Sequence, residues 1–578
     1  MGGFFIAVAG YDADPIVAAN AARLQFRQSG LGEPVRIEDP AYILDYYPKH
    51  GRAAADLVRF GDTDFIASCG TFIYSRRSGP EALRLFWRES NHAAALAGCR
   101  GHYALIERRA GRTTLLRDPL GAYEVYHDRN FRIISASFLA LARNIQRRTV
   151  HAAECIEYVL NGVTFGTETP IEEVQRLDMG EAITFDPVPR IIHRDVILCP
   201  GESPSPLSEQ LRQNILVLQE YLASLAEAFQ GRIKLSFSGG YDSRLLLAAL
   251  RSLGITPSLF VYGPESGHDV RAAKQLAGAE NIPLEHVDKE RCCPVTPERF
   301  PQMARENFHW YDGFPQMGMF HSNAENIIRV ERSLGDVVIL NGGGGEVYRN
   351  FFKFVGRNLS ARNFVRCFLS HFNPAILAAP ALHACFEDGL TRKVEALLGV
   401  AGSKLDRRQV ECLYPHFRCR SWFGRANSLD NRFGSSILPY YDQRVVESAL
   451  CLPIRSKHFG NFESLMIREL DHALARHPSS HGFPFDGNTP LGGMIPDLLL
   501  YALPPSLRRL NYRIKERLGR YPRRFPILNA LLLTPFMDAS FPFMSRLFAM
   551  PRVRSHHQFE RIAVLEYLFQ FLDGEGSR

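Results

Sequence analysis

The chain reads as an α/β protein: a first unit of short paired strands, a second built on a doubly wound parallel sheet, and a helical C-terminal extension. Three observations predict this. Residues 1–190 hold short apolar runs with alternating polar positions, such as FFIAVAG at 4–10 and FRIISAS at 131–137, divided by turn residues. Residues 200–207, PGESPSPL, break all periodicity and mark a linker. Beyond it, strand-like runs alternate with helical ones, the pattern of a parallel sheet with crossover helices.

In chain order, HYALIERRAGRTTLLRD at 102–118 is two alternating runs about Ala110-Gly111, a hairpin. SEQLRQNILVLQEYLASLAEAF at 208–229 has the helical period, and strands follow at 233–237, 258–263 (SLFVYG) and 336–342 (DVVILNG). Residues 500–578 are mostly helical and need not join the catalytic core. The expected division is 1–199, 208–500 and 501–578, with no internal repeat.

The most informative stretch is GRIKLSFSGGYDSRLLLAAL at 231–250. A strand stops at Ser238-Gly239-Gly240-Tyr241-Asp242-Ser243, and a helix starts at once. Such a loop turns successive N–H groups and a helix N-terminus toward an anion. Gly239 and Gly240 let the backbone close on phosphate, Ser236, Ser238 and Ser243 add hydroxyls, and Asp242 can hold Mg²⁺. The alternative is a glycine turn ahead of a core helix. The loop has no Gly-Lys-Ser/Thr ending, which argues against a Walker-type kinase or GTPase. The loop resembles the SGGxDS pyrophosphate loop of enzymes that split ATP into AMP and pyrophosphate. Arg244 is either a further phosphate contact or a helix-surface arginine.

Composition is that of an ordinary enzyme, 46% hydrophobic and 22% charged with a net charge of +7. No run reaches the ~18 apolar residues of a membrane span, and no basic, apolar leader opens the chain, so a cytoplasmic protein is expected. Eleven cysteines form no CxxC pair, which argues against a zinc site or a disulfide framework. Charge concentrates at 508–524, RRLNYRIKERLGRYPRR, where eight cations face Glu516. That segment is either a solvated helix and turn or a surface for an anionic partner. The apolar run 527–537 favours membrane headgroups, and no nucleic acid is expected because no aromatic-interleaved motif accompanies the charge. Oligomeric state stays open.

Five segments in order resemble the asparagine synthetase family: RDPLGAYEVYH at 117–127, YVLNGVTFGTETPIEEVQRLDMGEAITF at 158–185, VYGPESGHDVRAAKQLA at 261–277, NGGGGEVYRNFF at 341–352 and SILPYYDQRVVESALCLPIRSKHFGNFESLMIREL at 436–470. The resemblance implies an N-terminal Ntn-type αββα glutaminase-like domain and an ATP-pyrophosphatase domain. It further implies ATP and Mg²⁺ as cofactors, adenosine held near Tyr262, a second glycine loop at Gly342, and Asp242 and Glu346 as the Mg²⁺ carboxylates.

Departures from the family pattern narrow this reading. Glutamine-using members expose a cysteine at position 2, where this chain has Gly2. Their Asn-Gly is Cys69-Gly70, and the aspartate that holds the glutamine amine is Arg100. A glutaminase fold without glutaminase activity is expected, as in the β-lactam synthetase and lasso-peptide cyclase branches. Gly343 stands where asparagine-forming members have glutamate and β-lactam synthetase has tyrosine. Ser480 replaces the family lysine, leaving His481 or Lys457 as the candidate catalytic cation. The expected activity is adenylation of a small-molecule or peptide carboxylate and its joining to an amine or ammonia, in polysaccharide or natural-product assembly. The alternatives are ammonia-dependent asparagine synthesis and a non-catalytic nucleotide-binding scaffold.

Overall fold

The computed structural model describes residues 2–576 apart from 12–13, 51–55, 187, 197–200, 293, 355–358, 371, 403, 505–506, 509–527 and 529. Two six-stranded antiparallel sheets open the chain. The first has the order 174–176, 126–128, 133–135, 3–8, 42–47, 35–39, and the second 189–193, 181–185, 112–117, 103–109, 64–70, 57–60. Strand alternation decides the layers. Phe4, Ile6 and Val8 meet Phe65, Ala67 and Ile106 between the sheets. Phe5 and Ala7 face outward to Ala19, Ala22 and Phe26 of the helix Pro15–Gln28. Ile66 and Leu105 turn the other way, to Leu83 and Phe86 of the helix Gly79–Arg88. The result is four layers, helix–sheet–sheet–helix. The expected hairpin turns at Ala110 and Gly111, both with left-handed φ of 51° and 80°.

The helix Leu207–Ala228 leads into a five-stranded sheet that is parallel throughout, in the order 284–287, 258–262, 233–236, 338–340, 435–437. The chain winds outward from the strand 233–236 on one side and then restarts at 338–340 on the other. Between those two strands the winding reverses, and the carboxyl ends of the pair open a crevice where ligands of such sheets bind. Leu235, Leu246 and Leu250 fill the core beneath, without exposure.

The halves are joined by buried polar contacts. Asp312 accepts from Ser137 Oγ at 2.5 Å and from the Phe138 N–H at 2.7 Å, which caps the helix Phe138–Asn144 from the other half of the chain. The C-terminal stretch joins a core rather than standing apart from it. Ile562, Leu565, Leu568 and Leu572 of the helix His556–Gly576 bury in the same cluster as Phe138 and Ile156. Of the basic segment 508–524, only Arg508 lies among the described residues, where it donates to the carbonyls of Phe352, Lys353 and Leu500. Among the described residues no helix is long and apolar enough to cross a membrane.

Candidate functional site

The crevice is built from two glycine loops. After the strand Ile233–Ser236, Gly239 takes a left-handed φ of 74°, and Gly240 starts the helix Tyr241–Ser252 with no side-chain cap. The first-turn N–H groups are therefore left to a ligand or water. Ser238 and Ser243 bring their hydroxyls within 3.4 Å of each other beside this helix end. The segment Ser479–His481 lies along the loop: the Ser480 N–H donates to the Gly239 carbonyl at 3.4 Å, and a Cβ on Gly240 would stand 3.7 Å from His481 Nε2. His481 is thus at the loop, but burial lowers its pKa and favours the neutral ring.

Two residues named from the sequence are engaged with other parts of the chain here. Arg244 does not lie on a helix surface, and its guanidinium is taken up by backbone carbonyls. It is without exposure, and its guanidinium donates to the carbonyls of Leu474 (3.2 Å), His477 (2.5 Å), Gly239 (3.0 Å) and Pro478 (2.8 Å). The residue clamps the Leu474–Pro478 segment to the loop. Lys457 is buried and donates to Glu411 at 3.1 Å, beside a small gap that Glu346 and Arg349 also line. That ion pair engages its ammonium, and burial lowers its pKa.

The second loop, Asn341–Gly345, follows the strand Val338–Leu340. Its glycines make room for Asp242: a Cβ on Gly345 would lie 2.1 Å from Asp242 Oδ1, and one on Gly342 would lie 3.1 Å from Asp242 Cβ. Gly343 is covered by the Phe423 ring, 2.7 Å from where a Cβ would be. A glutamate or tyrosine at that position would displace the ring. Phe423 belongs to a π-helix, Tyr414–Gly424, whose first residue donates its hydroxyl to Glu346 Oε2 at 2.5 Å. π-Helical turns cluster at functional sites because they re-aim side chains.

Asp242 and Glu346 do converge, on a residue the sequence reading missed. Arg349 Nη2 donates to both Asp242 oxygens at 2.7 and 2.8 Å and stands 3.8 Å from Glu346 Oε1. A third carboxylate, Glu463, has no exposure and lies 3.3 Å from Arg349 Nε. Burial, then the neighbouring Asp242 charge, pushes the Glu463 pKa well above the usual range. Burial also raises that of Asp242, against the pull of Arg349. Three carboxyl groups thus gather around one guanidinium. Their oxygen donors suit a hard divalent cation, so Asp242 and Glu346 fit the expected Mg²⁺.

A cavity of about 1000 Å³ opens at the same strand ends, with Ser236, Tyr262 and Asn341 in its wall. Tyr262 is fixed between two cations: the Lys289 ammonium is 4.0 Å from its ring centroid, and Arg332 donates to its hydroxyl. Burial pushes its pKa up to about 12. Trp422, Phe423 and Tyr311 supply an aromatic side to the same space.

In the first half, the space beside Gly2 is tight. A Cβ on Gly2 would meet Leu31 Cδ2 at 2.7 Å and the Pro48 carbonyl at 3.0 Å. Cys69 lies between the sheets without exposure, and burial pushes its thiol up to about 12. Arg100 donates to the carbonyls of Ala97 and Cys99.

No protein-family model matches the chain, and no curated protein matches it. Among solved structures it is similar to glutamine phosphoribosylpyrophosphate amidotransferase from B. subtilis, complexed with ADP and GMP, at 12% identity. That match covers 50% of this chain and 91% of the other, with a TM-score of 0.25. A second match, to the allosteric regulatory enzyme of purine biosynthesis, has 10% identity, covers 50% and 80%, and has a TM-score of 0.24. Scores this low carry no inference about fold or activity.

Proposed function

We propose that the protein is an ATP-dependent ligase that adenylates a carboxylate, releases pyrophosphate, and joins the acyl group to an amine or ammonia it does not make from glutamine. One observation carries the reading. The Ser238–Ser243 loop and the Asn341–Gly345 loop meet at the switch point of a parallel sheet, with Asp242, Glu346 and Arg349 gathered between them. The resemblance to asparagine synthetases supports the chemistry, and the tight space beside Gly2 supports the loss of glutaminase.

The chemistry follows from the charge. A carboxylate oxygen is a poor leaving group, so the carboxylate attacks the α-phosphorus and the bond to the β-phosphate oxygen breaks. The departing pyrophosphate gains charge as it leaves, and donors already aimed at it lower that barrier. Here those are the N–H groups opening the helix Tyr241–Ser252 and the hydroxyls of Ser238 and Ser243. Mg²⁺, when bound, neutralises phosphate charge. Arg349, a fixed cation, orients Asp242. The amine then attacks the acyl carbon and AMP departs. The large cavity gives room for a nucleotide and an acceptor together.

Asp242→Asn and Glu346→Gln test this. Each keeps shape and removes one anion, and each lowers AMP formation by on the order of 10²-fold, the scale of one lost transition-state contact. ATP affinity falls much less, because backbone donors still hold the phosphates. One observation favours a second reading, a scaffold that binds nucleotide without turnover: Arg349 already neutralises Asp242. Under it, neither variant has AMP formation to lose.

A further inference from the structure

The helix Leu491–Ala502 is built inside out. None of its residues is buried. Leu491, Ile495, Leu498 and Leu499 are 77%, 53%, 46% and 62% exposed. Their spacing of four, three and one places them on one stripe of the helix. Chance exposure of single leucines is ordinary, but a stripe of four marks an interaction surface.

The opposite side of the helix is the one tied to the protein. Asp497 accepts from Lys353 at 2.6 Å, and the Tyr501 ring packs on His458 and Phe459 with centroids 5.0 and 5.7 Å away. Gly493 closes against Phe483, whose ring would be 2.9 Å from a Cβ there. These contacts fix the orientation, so the apolar stripe cannot turn inward without breaking them. A fifth apolar side chain, Leu507, is 43% exposed a few residues on.

The sequence that leaves this helix supplies the charge argument. Arg509, Arg513, Lys515, Arg517, Arg520, Arg523 and Arg524 follow within twenty-two residues of Ala502, against the single acid Glu516. An apolar helix stripe and a run of cations are the two signals that together hold a protein on an anionic bilayer, where one alone is marginal. We propose that the exposed stripe of the helix Leu491–Ala502 is a docking surface for an anionic membrane, inserting among headgroups and acyl chains in the interface plane. This placement does not depend on the ligase chemistry.

The test is flotation of the full chain with vesicles of phosphatidylcholine alone and of phosphatidylcholine with phosphatidylserine. The wild type floats with the anionic vesicles and not with the neutral ones, and added salt weakens it. Leu498→Glu with Leu499→Glu lowers vesicle binding by about tenfold or more, the scale of one leucine removed from an apolar contact. Both positions are exposed, so the melting temperature of that variant stays that of the wild type. Arg523→Glu with Arg524→Glu lowers binding as well. Three outcomes overturn the proposal. One is no flotation with either vesicle. Another is flotation that the two glutamates leave unchanged. The third is a self-association, or a binding to RNA, that those glutamates abolish while vesicles are not bound.

Discussion

Gly345→Ala is the sharpest single perturbation of the site, because the second glycine loop is cut to admit one carboxylate. The Cβ would lie 2.1 Å from Asp242 Oδ1 and 2.6 Å from its Cγ, whereas ordinary contact begins at 3.4 Å. Gly345 is not in the left-handed region, so alanine meets no backbone strain and the whole effect falls on Asp242. The carboxylate must retreat by about 1.3 Å, enough to break its 2.7 and 2.8 Å bonds with Arg349. A contact to a charged group is worth about 1.5–3 kcal/mol, or roughly 10- to 150-fold in rate where it acts in the transition state. The rate of AMP formation reads that loss directly, while Mg²⁺·ATP affinity falls much less. Crowding also costs about 1–3 kcal/mol of stability, seen as a lower melting temperature. Gly487→Ala is the control, since nothing lies within 4 Å of a Cβ there. Unchanged AMP formation in Gly345→Ala would show that Asp242 takes no part in the reaction.

Other consequences are as direct. Labelled glutamine yields no glutamate above a no-enzyme control, and Gly2→Cys does not restore the reaction because Leu31 and Pro48 fill the space; enzyme-dependent glutamate would reject this. Arg244→Met removes the shared donor of four carbonyls, of which that of Gly239 keeps the Ser480 N–H, and costs about 3 kcal/mol or more in denaturant unfolding. Arg244→Lys fails to rescue it, because a single ammonium cannot replace the fork; full stability in either variant would contradict the clamp.

Much of this architecture was legible before any coordinate. Strand alternation at 4–10 and 102–118 predicted the paired strands of the first half, since a period of two assigns each side chain to a face. The loop at 238–243 was legible because only small residues let backbone donors converge. Arg349 could have been found: it stands three residues after Glu346, the spacing of neighbours on a helical turn. Glu463 could not, since FESLMIREL reads as an amphipathic helix and only the fold shows that this acid has no exposure. Phe423 over Gly343 was equally hidden, because eighty residues separate them and a π-helix sets the approach. Arg244 misled for the opposite reason. Adjacency to the loop suggested a phosphate contact, but the helix carries its side chain around to the Leu474–Pro478 segment. The exposed stripe at Leu491–Leu499 was invisible to periodicity, which cannot tell an inward apolar face from an outward one.

The central claim is adenylation, and product identity with a trap decides it. The protein is given ATP labelled at the α-phosphate, Mg²⁺, a panel of carboxylates, and hydroxylamine as the amine. An acyl-adenylate would be caught as a hydroxamate. The account predicts AMP and pyrophosphate, with hydroxamate formed in equal amount for at least one carboxylate and none of the three without it. ADP and inorganic phosphate as the products, or Mg²⁺·ATP bound with no AMP across the whole panel, would contradict it.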